Sequence, residues 1–136
     1  MLKRKKEELG LEKVCFFPFV SQSLIAKIID KAKCCIGAIQ DKPIYRFGLS
    51  LNKLNDYLIS GKPVVFACNY DNVVKDAGQF SIPSNDPSVL AETLIRIRNM
   101  SQEEMETKAC KSKTLIRQVY DYGVIANKYL EMLEAL

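Results

Sequence analysis

An unbroken apolar run, Val64-Val65-Phe66-Ala67 behind Pro63, follows closely on Gly61 and on a helical pattern that opens near residue 50. No other stretch limits the fold as strongly. A strand that is apolar at every position is buried on both faces, and such strands belong to parallel sheets covered by helices. Gly61 is a usual helix stop, so helix and buried strand are joined within a few residues. Apolar stretches at 34–39 and 79–82 repeat the theme, and a β-favouring run at 14–17 precedes Pro18.

Helical patterns fill the intervals. Residues 2–9 read as a charged helix closing near Gly10. Ser21 and Ser23 offer caps to a helix with Leu24, Ile25, Ile28, Ile29 and Ala32 at helical spacing. Ser50 is the expected N-cap of the helix over 50–59, and 71–77 supplies one or two turns. Asp86 caps a helix over 87–99 with Pro87 at its first position. Ser101 with Glu104 forms a capping box for a helix to about Tyr120, and a last helix starts at Asp121 or Tyr122. Tyr120, Tyr122 and Tyr129 are expected to pack among these closing helices.

Strands alternating with helices predict βαβ units. The expected fold class is α/β, a partial Rossmann-like parallel sheet of about four strands with flanking helices, as one domain over 1–136 and closing helices over 101–136. A doubly wound nucleotide-binding domain has five or six strands and a phosphate-binding turn after the first. No glycine-rich turn follows residues 14–17. The expectation is therefore a sheet truncated on its N-terminal side, with an exposed edge that invites self-association.

Composition removes several function classes. A length of 136 residues suits one domain rather than two. Histidine is absent, which excludes Ser-His and Cys-His catalysis in this chain. Five cysteines (15, 34, 35, 68 and 110) without CxxC spacing argue against a disulfide framework and a zinc site. Cys15, Cys35 and Cys68 fall in strand-like runs and are expected to be buried, in a reducing compartment, the cytoplasm. No run approaches the roughly 18 apolar residues of a membrane span. Lys3, Arg4, Lys5 and Lys6 make a basic tip without the apolar core of a signal peptide. Such a tip can meet anionic lipid or nucleic acid; the plainer reading is a solvated helix face. Aromatic residues do not interleave with it, as single-strand nucleic-acid binding wants, so no nucleic-acid partner is expected.

The stretch that carries chemistry runs Phe47-Gly48-Leu49-Ser50-Leu51-Asn52-Lys53-Leu54-Asn55-Asp56-Tyr57-Leu58-Ile59-Ser60-Gly61-Lys62-Pro63-Val64-Val65. It combines a glycine-containing loop, a helix start, a glycine stop and a buried strand. Unpaired amides and the positive dipole end at such a helix start suit a diphosphate. Lys53 adds a mobile cation. Asp56, about one turn beyond Asn52, faces the same way and can accept from two ribose hydroxyls. The alternative reading of the same residues is an ordinary capped surface helix that binds nothing.

The stretch GLSLNKLNDYLISGKPVVF resembles the donor-binding segment of the GT-B-fold retaining glycosyltransferases that build bacterial capsule, O-antigen and other surface polysaccharides. Its glycine loop, N-K-L-x-[DE]-Y, small-x-G-K-P and apolar strand follow that family's order. LGLEKVCFFPFVSQSLIAKIIDKAKCCI is similar to the segment preceding the donor site, NVVKDAGQFSIPSNDPSVLAETLIRI to the one after it, and the remainder to the closing helices. The resemblance implies a nucleotide sugar, such as a UDP- or GDP-sugar, as donor substrate, with no cofactor and no metal. It assigns donor binding to Gly48, Leu49, Ser50, Leu51, Asn52, Lys53 and Asp56, with Asp56 on the ribose and the amides of Ser50, Leu51 and Asn52 near the diphosphate. It further implies a separate N-terminal acceptor domain, a terminal helix that can cross back to that domain and so leave its apolar face partly exposed here, and a full enzyme active in the cytoplasm, peripherally at the inner face of the membrane.

Relatives often carry two glutamates with seven residues between them, the first contacting the sugar. Counting back from Asp56 reaches Gly48, and Asp41 lies in another loop, so catalytic residues stay unassigned. Arg46 is a further candidate for phosphate, and Tyr70, Asp71 and Asn72 follow a strand end where ligands gather in open α/β sheets. A catalytically inactive stand-alone α/β nucleotide-binding or interaction module remains the second reading of the chain.

Overall fold

A computed structural model describes residues 1–47, 49, 51–84 and 86–135. Its centre is a three-stranded parallel sheet in the order β1 (Cys35–Ala38), β2 (Val64–Ala67), β3 (Phe80–Ile82). β1 pairs with β2 from Cys35↔Val64 to Ala38↔Ala67, and β2 with β3 from Val65↔Phe80 to Ala67↔Ile82. The described residues also form seven α-helices: α1 (Leu2–Glu8), α2 (Gln22–Lys31), α3 (Asn52–Ser60), α4 (Val73–Asp76), α5 (Pro87–Arg98), α6 (Gln102–Val119) and α7 (Tyr122–Glu134). A short 3-10 helix, Pro43–Phe47, lies in the connection from β1 to α3. The chain is thus a mixed α/β fold with a small, open parallel sheet.

The two faces of β2 explain its unbroken apolar sequence. Val64 and Phe66 point to one core with Leu54, Leu58, Val74, Ala77 and Ile116, contributed by the α3, α4 and α6 side. Val65 points to the other, with Phe80, Ile82 and Ile97 beneath α5. All three of these β2 side chains are fully buried. β1, by contrast, is covered on one face only: Cys35 and Gly37 are buried while Ile36 and Ala38 are exposed. α5 reaches β2 and β3, which leaves the Ile36 side of β1 bare.

One polar link ties the sheet to α6. Gln79, 8% exposed, accepts from the Val64 amide at 3.1 Å and donates to Ser112 Oγ at 2.7 Å and the Lys108 carbonyl at 3.2 Å. Ser112 Oγ in turn donates to the Lys108 carbonyl at 2.9 Å. Every buried side-chain polar atom among the described residues has a partner, as folded proteins require.

The helix ends follow local chemistry. Asp86 accepts from the amides of Ser88 and Val89, and Asp121 from that of Gly123. Ser101 Oγ accepts from the Glu104 amide at 3.1 Å, but the Glu104 carboxylate turns to Arg96 at 3.5 Å instead of back to Ser101. Gly61 ends α3 with φ +76°. A side chain is costly in that left-handed conformation. Gly61→Ala is therefore expected to lower stability by about 1–2 kcal/mol, read as a shift of the urea midpoint at unchanged m-value.

Several expectations are corrected. Residues 14–17 form no strand, so the sheet has three strands among the described residues rather than about four. The Val14 amide bonds back to the Leu11 carbonyl within a turn, and Val14, Phe16 and Phe17 are exposed. β propensity makes a strand only beside a partner edge. Cys15, expected to be buried there, is exposed for the same reason, whereas Cys35 and Cys68 are buried. Tyr120, Tyr122 and Tyr129 are exposed rather than packed, because α7 buries no residue at all. Ser21 stands at the N-cap of α2, but its hydroxyl meets that of Ser23 at 3.0 Å and caps no amide. Among the described residues, no helix is long and apolar enough to cross a membrane.

Candidate functional site

In a parallel sheet, all strands release their loops at one end, and ligands collect there. Here that end holds the loop from β1 to α3, the loop from β2 to α4 and the loop after β3. A chain of hydrogen bonds links the three. The Tyr70 hydroxyl donates to Asp41 Oδ1 at 2.6 Å and the Asn69 amide to Asp41 Oδ2 at 2.7 Å. Asn69 Oδ1 accepts from the Ser84 amide at 2.8 Å. Hydrogen bonds from Tyr70 and Asn69 hold the Asp41 carboxyl below its ordinary pKa, and the same bond raises that of the Tyr70 phenol.

Next to this network lies an open basin of about 480 Å³ lined by Tyr45, Arg46, Phe47, Asn69, Tyr70 and Asp71. The Tyr45 and Tyr70 rings meet edge to face at 6.3 Å, and the Arg46 guanidinium sits 4.6 Å over the Phe47 ring. Asn72, next in the chain after Asp71, is almost fully buried. Its side chain caps α4 through the amides of Val74 and Lys75 and donates to Ser81 Oγ at 2.9 Å. Asp71 pairs with Lys75 across one exposed turn at 3.0 Å.

α3 starts on the same side of the sheet. Its register is fixed by Leu54 and Leu58, both essentially inaccessible, which turn the Asn52–Asp56 side outward. Leu51 is the N-cap, and its own side chain caps no amide. Asn52, Asn55 and Asp56 line a groove of about 370 Å³ with Gln22 of α2 and with Ile116, Tyr120 and Tyr122 at the α6–α7 junction. A second groove, of about 330 Å³, continues from Asp56 between α2 and α3, past Ile59, Ser60, Ile25 and Asp30.

Of the seven donor-site residues expected from sequence, the structure brings Asn52 and Asp56 together in one groove, one turn apart. Lys53 is exposed on the next face, while Leu49 and Leu51 are half-buried against the core. Gly48 and Ser50 lie outside the described residues, and with them the expected Ser50 cap. Sequence reading set Asp41 aside as belonging to another loop and did not single out Asn69. Both were readable as positions just past strand ends, but nothing in the sequence pairs them across 28 residues.

The vicinal thiols are poor candidates for chemistry. Burial raises the pKa of Cys34 and Cys35, which disfavours the reactive thiolate. Among the described residues, no three His, Cys, Asp or Glu side chains converge as metal ligands do. No protein-family model, curated protein or solved structure matches this chain.

Proposed function

We propose that this chain is the donor-binding part of a retaining, metal-independent glycosyltransferase of the GT-B kind. It takes a UDP- or GDP-sugar and serves surface-polysaccharide synthesis, passing the sugar to a polysaccharide or lipid-linked acceptor held by a partner domain. The observation that carries this reading is the groove shared by Asn52, Asn55 and Asp56 beside the start of α3. An ionised carboxylate has acceptor sites for both hydroxyls of a ribose. The two asparagine amides add donors and acceptors within the same groove. Tyr120 and Tyr122 at its rim offer aromatic faces to a base.

The diphosphate then lies toward residues 49–53. There the amides at the α3 start and the helix dipole favour negative charge, and Lys53 supplements them. Charge builds on the diphosphate as the sugar departs, and donors already in position stabilise that state without reorganising. Arg46, whose guanidinium is stacked but carries no ion pair among the described residues, faces the neighbouring basin. The full enzyme works in the cytoplasm, at the inner face of the membrane.

Amide NMR titration with UDP and with GDP tests the reading. Shifts are expected at 49–56 and 70–73. Asp56→Ala is expected to weaken nucleotide binding by about 1.5–3 kcal/mol, the usual worth of hydrogen bonds to a charged group. Its thermal unfolding should be unchanged, since Asp56 is exposed. A well-dispersed spectrum that ignores both nucleotides at millimolar concentration would instead leave a stand-alone α/β interaction module.

A further inference from the structure

We propose that the free edge of β1 is an interface between two copies of this chain, paired antiparallel about a twofold axis at Gly37. The proposal does not depend on the donor-site reading. Cys35 N–H donates to the Pro63 carbonyl at 2.9 Å, and Ile39 N–H to the Ala67 carbonyl at 3.2 Å. Backbone groups alternate sides along a strand, so Cys35, Gly37 and Ile39 turn theirs to β2. The N–H and C=O groups of Ile36 and Ala38 therefore point away from the sheet, and β1 is its end strand. No loop or side-chain hydrogen bond from a described residue reaches them. Both side chains are exposed on the face that α5 leaves bare, Ile36 at 47%.

Sheet edges are ordinarily kept from pairing by brevity, proline or charge. β3, at the other end of the sheet, has all three. It spans three residues, Pro83 follows at once, and the Arg96 and Lys108 cations stand 5.4 and 4.6 Å from the Phe80 ring. Residues 34–39, Cys-Cys-Ile-Gly-Ala-Ile, hold neither proline nor charge. The contrast assigns pairing to β1 alone. It also closes the assembly at two chains, because the joined sheet ends on a guarded β3 at each side.

A second copy fits because this edge is complementary to itself. Antiparallel strands bond where outward-facing residues oppose one another, each such pair exchanging both of its hydrogen bonds. Centring the pair on Gly37 sets Ile36 against the partner's Ala38, and Ala38 against the partner's Ile36. On the bare face, Ile36 and the partner's Ala38 become packed cross-strand neighbours. The same register brings Lys33 opposite the partner's Asp41 at both ends, and both residues are exposed. Sliding the partner by two residues sets Lys33 against Ile39 or Pro43 instead and loses that match. One short strand per copy makes a small contact, so a weak, concentration-dependent dimer is expected.

Sedimentation equilibrium of the full chain from micromolar to millimolar concentration tests this, with amide hydrogen exchange read at both ends of the range. Expected is a mass rising from one chain toward two. The Ile36 and Ala38 amides should slow as concentration rises, while those of Gly37 and Ile39 stay slow throughout. Ala38→Pro removes an outward N–H without touching the β1–β2 ladder, and Ile36→Lys puts a charge on the edge. Each is expected to weaken dimerisation roughly tenfold or more. Lys33→Glu should weaken it roughly two- to fivefold. Tyr129→Ser with Met132→Ser on α7 should leave it unchanged, and circular dichroism should show these variants folded alike. A monomer at every concentration, or a dimer whose Ile36 and Ala38 amides still exchange freely, would overturn the proposal. So would a dimer that survives Ile36→Lys, one lost in the α7 pair, or growth beyond two chains.

Discussion

Phe66→Ala is expected to lower the unfolding free energy by about 3–5 kcal/mol, the range for deleting a buried aromatic ring. Domains of this size carry about 5–15 kcal/mol in total, so the variant should be largely unfolded at moderate urea. The ring is fully buried at the middle of β2, and its edge occupies the place where a side chain on Gly37 would stand. A Cβ built on Gly37 lies 3.0 Å from Phe66 Cδ2 and 3.7 Å from Leu54 Cδ2. With the ring gone, nothing on β1 can fill the space, so the cavity persists. Urea unfolding followed by circular dichroism measures the loss. A change below about 1 kcal/mol would show that β1 and β2 do not pack in this register.

Gln79→Leu is the second large effect, at about 2–4 kcal/mol, because it strands buried polar groups rather than removing apolar contact. Leucine keeps the volume but leaves the Val64 amide at the head of β2 without its acceptor, and Ser112 without its donor. The Lys108 carbonyl still accepts from Ser112. Adding Ser112→Ala to Gln79→Leu should therefore cost less than the sum of the two single changes, since neighbours in one network are not additive. Denaturant midpoints of the two singles and the double give the coupling. Strict additivity would mean that the link between β2 and α6 is absent in solution.

Much of the framework was readable from residues. Gly61 and the run through Phe66 predicted a helix stop and a strand buried on both faces, and Asp86, Ser101 and Asp121 announced helix starts through side chains that cap amides locally. Such signals act within four residues, yet Ser21, whose hydroxyl turns to Ser23, shows that a cap position does not guarantee a cap. Residues 14–17 misled because strand propensity reports a side chain's fit to a pleated surface and says nothing about whether a partner edge exists. The α7 tyrosines misled in a related way: helical spacing shows which residues share a face, not whether anything covers it. That Asn52 and Asp56 share one groove was predictable from helical period. The Asp41–Asn69–Tyr70 network was not, because it joins loops whose proximity depends on the sheet order.

The polar link through Gln79 also bears on how the molecule opens. α6 is fastened to the head of β2, and Ile116 lies in the same core as Leu54 and Leu58. α7 follows α6 after a break at Asp121 and contributes no buried side chain. Free energies of local opening track buried contact, so they should step down at that break. α6 would then exchange its amide protons at the pace of the sheet, while α7 would undo and remake its last turns without the sheet registering the event.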